Sequence, residues 1–186
     1  DLLDVDINEY DDAFVEAFIR DNRYDVILFG SIVTHYKWIK WLVRSIKQYH
    51  PETKVVVGNS VAGSCYEVFM GNTPADVTVI GEGEFTCLDV IQTFATGGSL
   101  AKIPGIAFRD GEGRIVKNPP RGACEVAKLP LVDWSPFDVG RYMEAQKVLG
   151  MRKEVAGVNT LSMPISTARG CVFKCSFCHY VYWDDP

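Results

Sequence analysis

Three cysteines within eight residues, Cys171, Cys175 and Cys178, carry the clearest chemistry in this 186-residue sequence. Their C-x3-C-x2-C spacing lets one loop present three thiolates to a thiophilic metal centre. Such a loop can wrap three corners of a [4Fe–4S] cubane and leave one iron open to a small molecule. A structural zinc site or a conventional cluster takes a fourth protein ligand. His179 is adjacent but badly placed by chain geometry to serve beside Cys178. Zinc and three unconnected thiols are the competing readings. Cys65, Cys87 and Cys124 lie far off in sequence and read as small apolar residues.

A second constellation lies in the first half of the chain. Three short apolar runs, 25–30, 54–58 and 76–81, end in glycine. They continue as Gly30-Ser31, Gly58-Asn59-Ser60 and Gly81-Glu82-Gly83-Glu84. Runs this short suit strands buried on both faces. In a parallel sheet their ends share one edge, where ligands of open α/β sheets bind. Glycine there removes Cβ and lets a ligand approach the backbone. Ser31, Thr34, Gly58, Asn59, Ser60, Gly81, Glu82, Gly83 and Glu84 are therefore the candidate ligand-binding residues. The helix after Glu84 adds its N-terminal N–H groups. The plainer alternative is that the glycines only permit tight turns. The residues alone do not choose among FMN, a nucleotide and cobalamin. A pyrophosphate fingerprint is missing, because Gly81-x-Gly83 continues as Phe85 and Thr86.

The elements that position these groups alternate. Residues 2–7 read as a strand, and 10–21 as a helix with Phe14, Val15, Phe18 and Ile19 on one face and Asp11 and Asp12 near its start. Residues 36–49 set Ile39, Leu42, Val43, Ile46 and Tyr49 at helical spacing. Short helices are expected at 66–70 and 84–95. This alternation specifies an α/β fold, a doubly wound parallel sheet with helices on both faces. Residues 103–118 then form two β-type runs around Asp110-Gly111-Glu112-Gly113, a hairpin signal. Residues 119–136, with Pro119, Pro120, Pro130 and Pro136, read as a surface linker. A helix at 137–149 and a strand at 161–167 precede the cysteines. Trp38 and Trp41 read as packing or domain-contact residues, and Asp184-Asp185 as solvated.

Composition narrows the partners. Hydrophobic residues at 47% and charged residues at 23% exclude a disordered or low-complexity chain. The net charge of −5 gives no electrostatic reason to expect a polyanion, so no nucleic-acid partner is expected. No apolar run approaches the roughly 18 residues of a membrane span. The opening Asp1-Leu2-Leu3-Asp4 has no secretory pattern and reads as the interior of a longer protein.

The segment Ile165-Ser-Thr-Ala-Arg169-Gly170-Cys171-x3-Cys175-x-Phe177-Cys178 resembles the start of a radical S-adenosylmethionine (SAM) core, whose motif is C-x3-C-x-aromatic-C. Upstream, KVVVGNS and DVTVIGEGEFTCLDVI resemble the cobalamin-binding domain of cobalamin-dependent radical SAM enzymes. Gly-Glu-Gly-Glu is intact at 81–84, whereas the family's Gly-Gly has become Gly58-Asn59. Leu129-Pro-Leu-Val-Asp-Trp134 is similar to the stretch between the family's two domains.

The resemblance implies a Rossmann- or flavodoxin-like cobalamin-binding domain at 1–118, a linker at 119–158 and the truncated first segment of a radical SAM barrel at 159–186. It implies cobalamin along the glycine-ended strand edge and a [4Fe–4S] cluster on Cys171, Cys175 and Cys178. SAM would occupy the open iron and be cleaved to a 5′-deoxyadenosyl radical for C-methylation or ring modification, for example of tetrapyrrole cyclase type. It also implies a small-molecule substrate held by a core outside this chain, a flavodoxin- or ferredoxin-type electron donor and a cytoplasmic setting. His35 reads as a loop residue near the corrin or solvent rather than a cobalt ligand. The chain starts at the family's second strand, so the central first strand of a 2-1-3-4-5 sheet is expected outside it. Two other classes compete: a radical SAM protein whose α/β domain is an interaction module without cobalamin, and a regulatory α/β domain with a zinc-binding cysteine loop.

Overall fold

A computed structural model describes residues 1–148, 173 and 175–177. Val26–Gly30 (β1), Lys54–Gly58 (β2) and Val77–Val79 (β3) form the parallel part of one five-stranded sheet. Ile106–Arg109 (β4) and Ile115–Lys117 (β5) extend it in antiparallel fashion, in the order β1-β2-β3-β4-β5. β2 is central to the parallel part, and Val55, Val56 and Val57 are at most 1% exposed. That is the environment its unbroken valine run requires.

Among the described residues, six α-helices accompany the sheet: Asp12–Asp21 (α1), Tyr36–Tyr49 (α2), Asn59–Ser64 (α3), Tyr66–Asn72 (α4), Glu84–Thr96 (α5) and Val139–Val148 (α6). α1 through α4 pack on one face, where Val15, Ile39, Val43, Ile46, Phe69 and Met70 meet Val55 and Val57. α5 covers the other face, with Val90 against Val56, Val77 and Val79. The asymmetry follows from strand order. β1, β2 and β3 are laid down in one direction, so crossovers of one hand place their helices on one side. α5 leads instead into an antiparallel strand.

Local chemistry sets the helix ends. The Asp11 carboxylate accepts the Phe14 N–H at 2.8 Å and caps α1. α5 ends at Gly97, φ 68°, with the Gly98 N–H returning to the Thr93 carbonyl at 2.9 Å. The Trp38 indole donates to Asp12 at 2.8 Å and so ties α2 to α1, while its ring centroid lies 5.8 Å from that of Trp41 on the same helix.

One expectation needs correction. Residues 2–7 are not a strand; residues 5–9 form a turn, and Asp4 accepts the Ile7 N–H at 3.1 Å. A strand needs a ladder partner, and no described strand lies beside this segment. The outer edge of β1 is likewise unpaired among the described residues, and Leu28 is 40% exposed. The hairpin that follows the parallel strands pairs with them, through Val77↔Phe108 and Val79↔Ile106, so the five-stranded sheet is parallel over β1–β3 and mixed as a whole. Finally, the stretch after Gly58 folds into α3, which the sequence pattern did not announce. The expected strand at 161–167 lies outside the described residues.

Candidate functional site: the glycine-ended rim

Because β1, β2 and β3 are parallel, their C-terminal ends share one edge, with Gly30 and Gly58 as register partners. Next to this pair, Ser31 is 1% exposed and fully engaged. Its hydroxyl accepts the buried Ala62 N–H at 3.0 Å and donates to the Gly58 carbonyl at 3.2 Å. The Ser31 carbonyl accepts the Val61 N–H at 3.2 Å. Ser31 thus stitches the end of β1 to the first turn of α3, satisfying N–H groups that a helix start leaves open.

Asn59 stands at φ 69°, a left-handed conformation that asparagine tolerates better than most residues. Its side-chain oxygen accepts the Ser60 N–H at 2.6 Å. Its Cβ and amide nitrogen sit 3.4 Å from where a Cβ on Gly30 would lie. Asn59 therefore closes part of this loop against β1. Asn59 is exposed, Ser60 half-buried, and Thr34 exposed in the short turn Val33–His35, which also holds the exposed His35.

At β3 the backbone requires glycine. Gly81 has φ 79°, and nothing lies within 4 Å of a Cβ built there. Conformation rather than crowding selects glycine, and the space beside the backbone is open. Gly83 precedes α5 with no side-chain cap. Burial first and the neighbouring Glu84 second push the half-buried Cys87 thiol above its usual pKa range. Glu82 is engaged by the chain itself: one carboxylate oxygen accepts the Cys124 N–H at 3.0 Å.

Sequence reasoning missed Ile32 and Val33. They follow β1 at the rim and are 40% and 77% exposed. An apolar pair directly after a glycine-ended strand was the available signal. Exposed apolar groups beside uncovered backbone suit a broad, largely apolar ring with polar edges better than a small polar ligand. At the rim, Ile32 and Val33 supply exposed apolar surface beside Gly81, where nothing lies within 4 Å of a Cβ position.

Cys175 is half-buried and in no disulfide, whereas Cys171 and Cys178 lie outside the described residues, so the spacing of the three cysteines is known from the sequence alone. Among the described residues no helix is long and apolar enough to cross a membrane.

Comparison with known proteins assigns this arrangement to a class. Residues 1–91 match the B12 binding domain family, and this part of the chain is a Rossmann-like B12-binding domain. The relatives then set the wider family. The chain is 28% identical over 189 residues to the anaerobic magnesium-protoporphyrin IX monomethyl ester cyclase of Rubrivivax gelatinosus, covering 99% of this chain and 32% of that protein. Among solved structures, the cobalamin-dependent SAM radical enzyme OxsB with aqua-cobalamin and SAM bound superposes with a TM-score of 0.57 at 20% identity, over 66% of this chain and 17% of OxsB. The radical SAM methyltransferase TsrM from Kitasatospora setae, with cobalamin and a [4Fe-4S] cluster bound, gives 0.54 at 16%, over 63% of this chain and 24% of TsrM. At these identities the structural likeness establishes the fold. The domain is of the kind that cobalamin-dependent radical SAM enzymes carry, as the sequence resemblance implied. The chain spans about a third of the length of the cyclase it matches.

Proposed function

We propose that this chain is the cobalamin-binding domain and leading cluster segment of a cobalamin-dependent radical SAM enzyme that carries out C-methylation or ring modification. One observation carries the reading: a B12-binding domain whose three strand ends form an open glycine rim precedes a C-x3-C-x2-C triad in the same polypeptide. In this reading the cofactors supply the methyl-transfer and radical chemistry, while the protein orients and shields them. Gly58, Asn59, Ser60, Gly81 and Gly83 line the corrinoid edge, with Thr34 and Glu84 at its margins. Ser31 acts one step back, by fixing the turn that carries Asn59 and Ser60. Cys171, Cys175 and Cys178 would hold the [4Fe–4S] cluster and leave an iron for SAM. Substrate, electron donor and barrel belong to the rest of the protein.

The test is a titration of the full-length, anaerobically purified protein with hydroxocobalamin, followed by absorbance, together with iron and sulfide analysis. A saturable spectral shift is expected, with iron and sulfide in the equal amounts of a [4Fe–4S] cluster. Absence of the shift removes the cobalamin reading. Zinc in place of iron and sulfide removes the radical SAM reading.

A further inference from the structure

The linker does not simply leave the sheet. β5 is antiparallel to β4, which is antiparallel to β3, so β5 ends at the same edge as β1, β2 and β3. The hairpin thus returns the chain to the glycine rim. There residues 119–124 are held along it at three places. The Gly105 N–H donates to the Pro119 carbonyl at 2.8 Å, while the Gly105 carbonyl accepts the Ile80 N–H at 2.9 Å. Arg121 forms an ion pair with Asp89 of α5. The Cys124 N–H donates to Glu82 at 3.0 Å. Gly105 is shaped to this crossing: it has φ 75°, and a Cβ there would meet the Arg121 Cβ at 3.1 Å and the Ile80 carbonyl oxygen at 3.2 Å.

We infer that Glu82 is a positioning residue, which fixes where the linker departs from the cofactor rim, rather than a cofactor contact. The inference rests on the proposed function for its significance, since the held segment leads toward the cysteine triad. It divides the Gly-Glu-Gly-Glu loop by role. Gly81 and Gly83 leave backbone open on the rim, and the acid between them grips the stretch of chain that runs from this domain toward the cysteines. An anchor at that point sets the direction in which residues 125 onward leave the domain. Asp89 and Arg121 form the second anchor, with Asp89 about two helical turns beyond Glu82 in the chain. Two anchors on either side of residues 122–123 define both position and direction, which one could not.

Hydrogen–deuterium exchange on the full-length protein decides the matter, comparing Glu82→Ala, Glu82→Gln and Asp89→Asn with the parent. Removing the charged acceptor in Glu82→Ala should speed exchange of the Cys124 amide about tenfold or more. The 54–58 strand should keep its protection and serves as the check on folding. Glu82→Gln, whose amide oxygen still accepts, should exchange more slowly than Glu82→Ala. Asp89→Asn should speed exchange at the amides of 121–123 while Cys124 keeps its bond to Glu82. Unchanged exchange in Glu82→Ala, or equal exchange in the Ala and Gln variants, overturns the inference. Should Glu82→Ala prove unfolded, Asp89→Asn still tests the anchored path, and unchanged exchange at the amides of 121–123 refutes it. A parallel hydroxocobalamin titration separates the two readings. A parent that fails to bind refutes the proposed function and leaves the anchor standing. A Glu82→Ala variant that loses binding with its linker exchange unchanged shows Glu82 to be a cofactor contact.

Discussion

Replacing Ser31 with alanine separates a structural stitch from a ligand group. The hydroxyl makes two hydrogen bonds, but their losses are unequal. The Gly58 carbonyl also accepts the Ser31 backbone N–H at 3.0 Å, so it stays satisfied in Ser31→Ala. The Ala62 N–H has the Ser31 hydroxyl as its acceptor in a buried setting, and it is stranded. An unsatisfied buried amide destabilises by about 1–3 kcal/mol, and the missing hydroxyl leaves little room for water to take its place. The expected loss is therefore about 2 kcal/mol, read from urea denaturation of the protein with an unchanged m-value. Ser31→Cys keeps the volume but only a weak acceptor, and should fall between alanine and the parent. A loss below about 0.5 kcal/mol for Ser31→Ala would refute the stitch, because it would mean the Ala62 amide is not stranded.

Other outcomes are expected at the crossing, the hairpin tip and the cysteines. Gly105→Ala places a Cβ at φ 75° and 3.2 Å from the Ile80 carbonyl oxygen, so it should destabilise by about 2 kcal/mol or more in the same denaturation assay. Gly81→Ala shares the left-handed backbone but has open space, so its loss should stay near 1–2 kcal/mol, and a Gly81 loss equal to that of Gly105 would contradict the crowding argument. At the hairpin tip, the Arg114 side chain first and backbone N–H groups second hold the Asp110 carboxyl below its usual pKa. A folded-state pKa below the unfolded one stabilises above the unfolded value, near pH 4, and that contribution fades as pH falls through the folded value. Amide protection at Glu112 and Arg114, both bonded to Asp110, should therefore be steady down to about pH 4 and decline below it, as followed by NMR exchange. Serine at any one of Cys171, Cys175 or Cys178 should abolish the iron–sulfur absorbance of the reconstituted protein while leaving hydroxocobalamin binding intact; retention of the cluster in all three variants would dismiss the triad.

The periodic elements were legible because burial writes itself into the sequence. KVVVG could only be a strand covered on both faces, and Tyr36–Tyr49 carries a stripe whose members Ile39, Leu42, Val43 and Ile46 are all buried. The glycine-ended strands foretold a shared rim, since parallel strands admit only one placement of their ends. What failed depended on partners in space. Residues 2–7 have strand composition, but composition supplies no ladder. Asn59–Ser64 has little apolar periodicity, and α3 is held by Ser31, whose hydroxyl reaches an amide 31 residues further on, at Ala62. The bond made by Glu82 was hidden for the same reason: its partner is the Cys124 amide, 42 residues away, and a backbone N–H leaves no mark in a sequence.

That contrast explains why the candidate site divides as it does. Residues chosen for their own conformation, Gly81 at φ 79° above all, could be named from type and position. Ser31 and Glu82 were expected at the rim as ligand groups, and the structure gives both a task that residue type alone does not reveal. Each accepts a backbone N–H of the protein. A rim that presents mainly glycine backbone, one asparagine and the apolar pair Ile32 and Val33 uses such polar side chains to keep its own loops in place. For a large rigid ligand that division is physically sensible. Under the proposed function, affinity would come from area and from loops already fixed before binding, so hydrogen bonds that preorganise the rim would contribute to binding without touching the ligand.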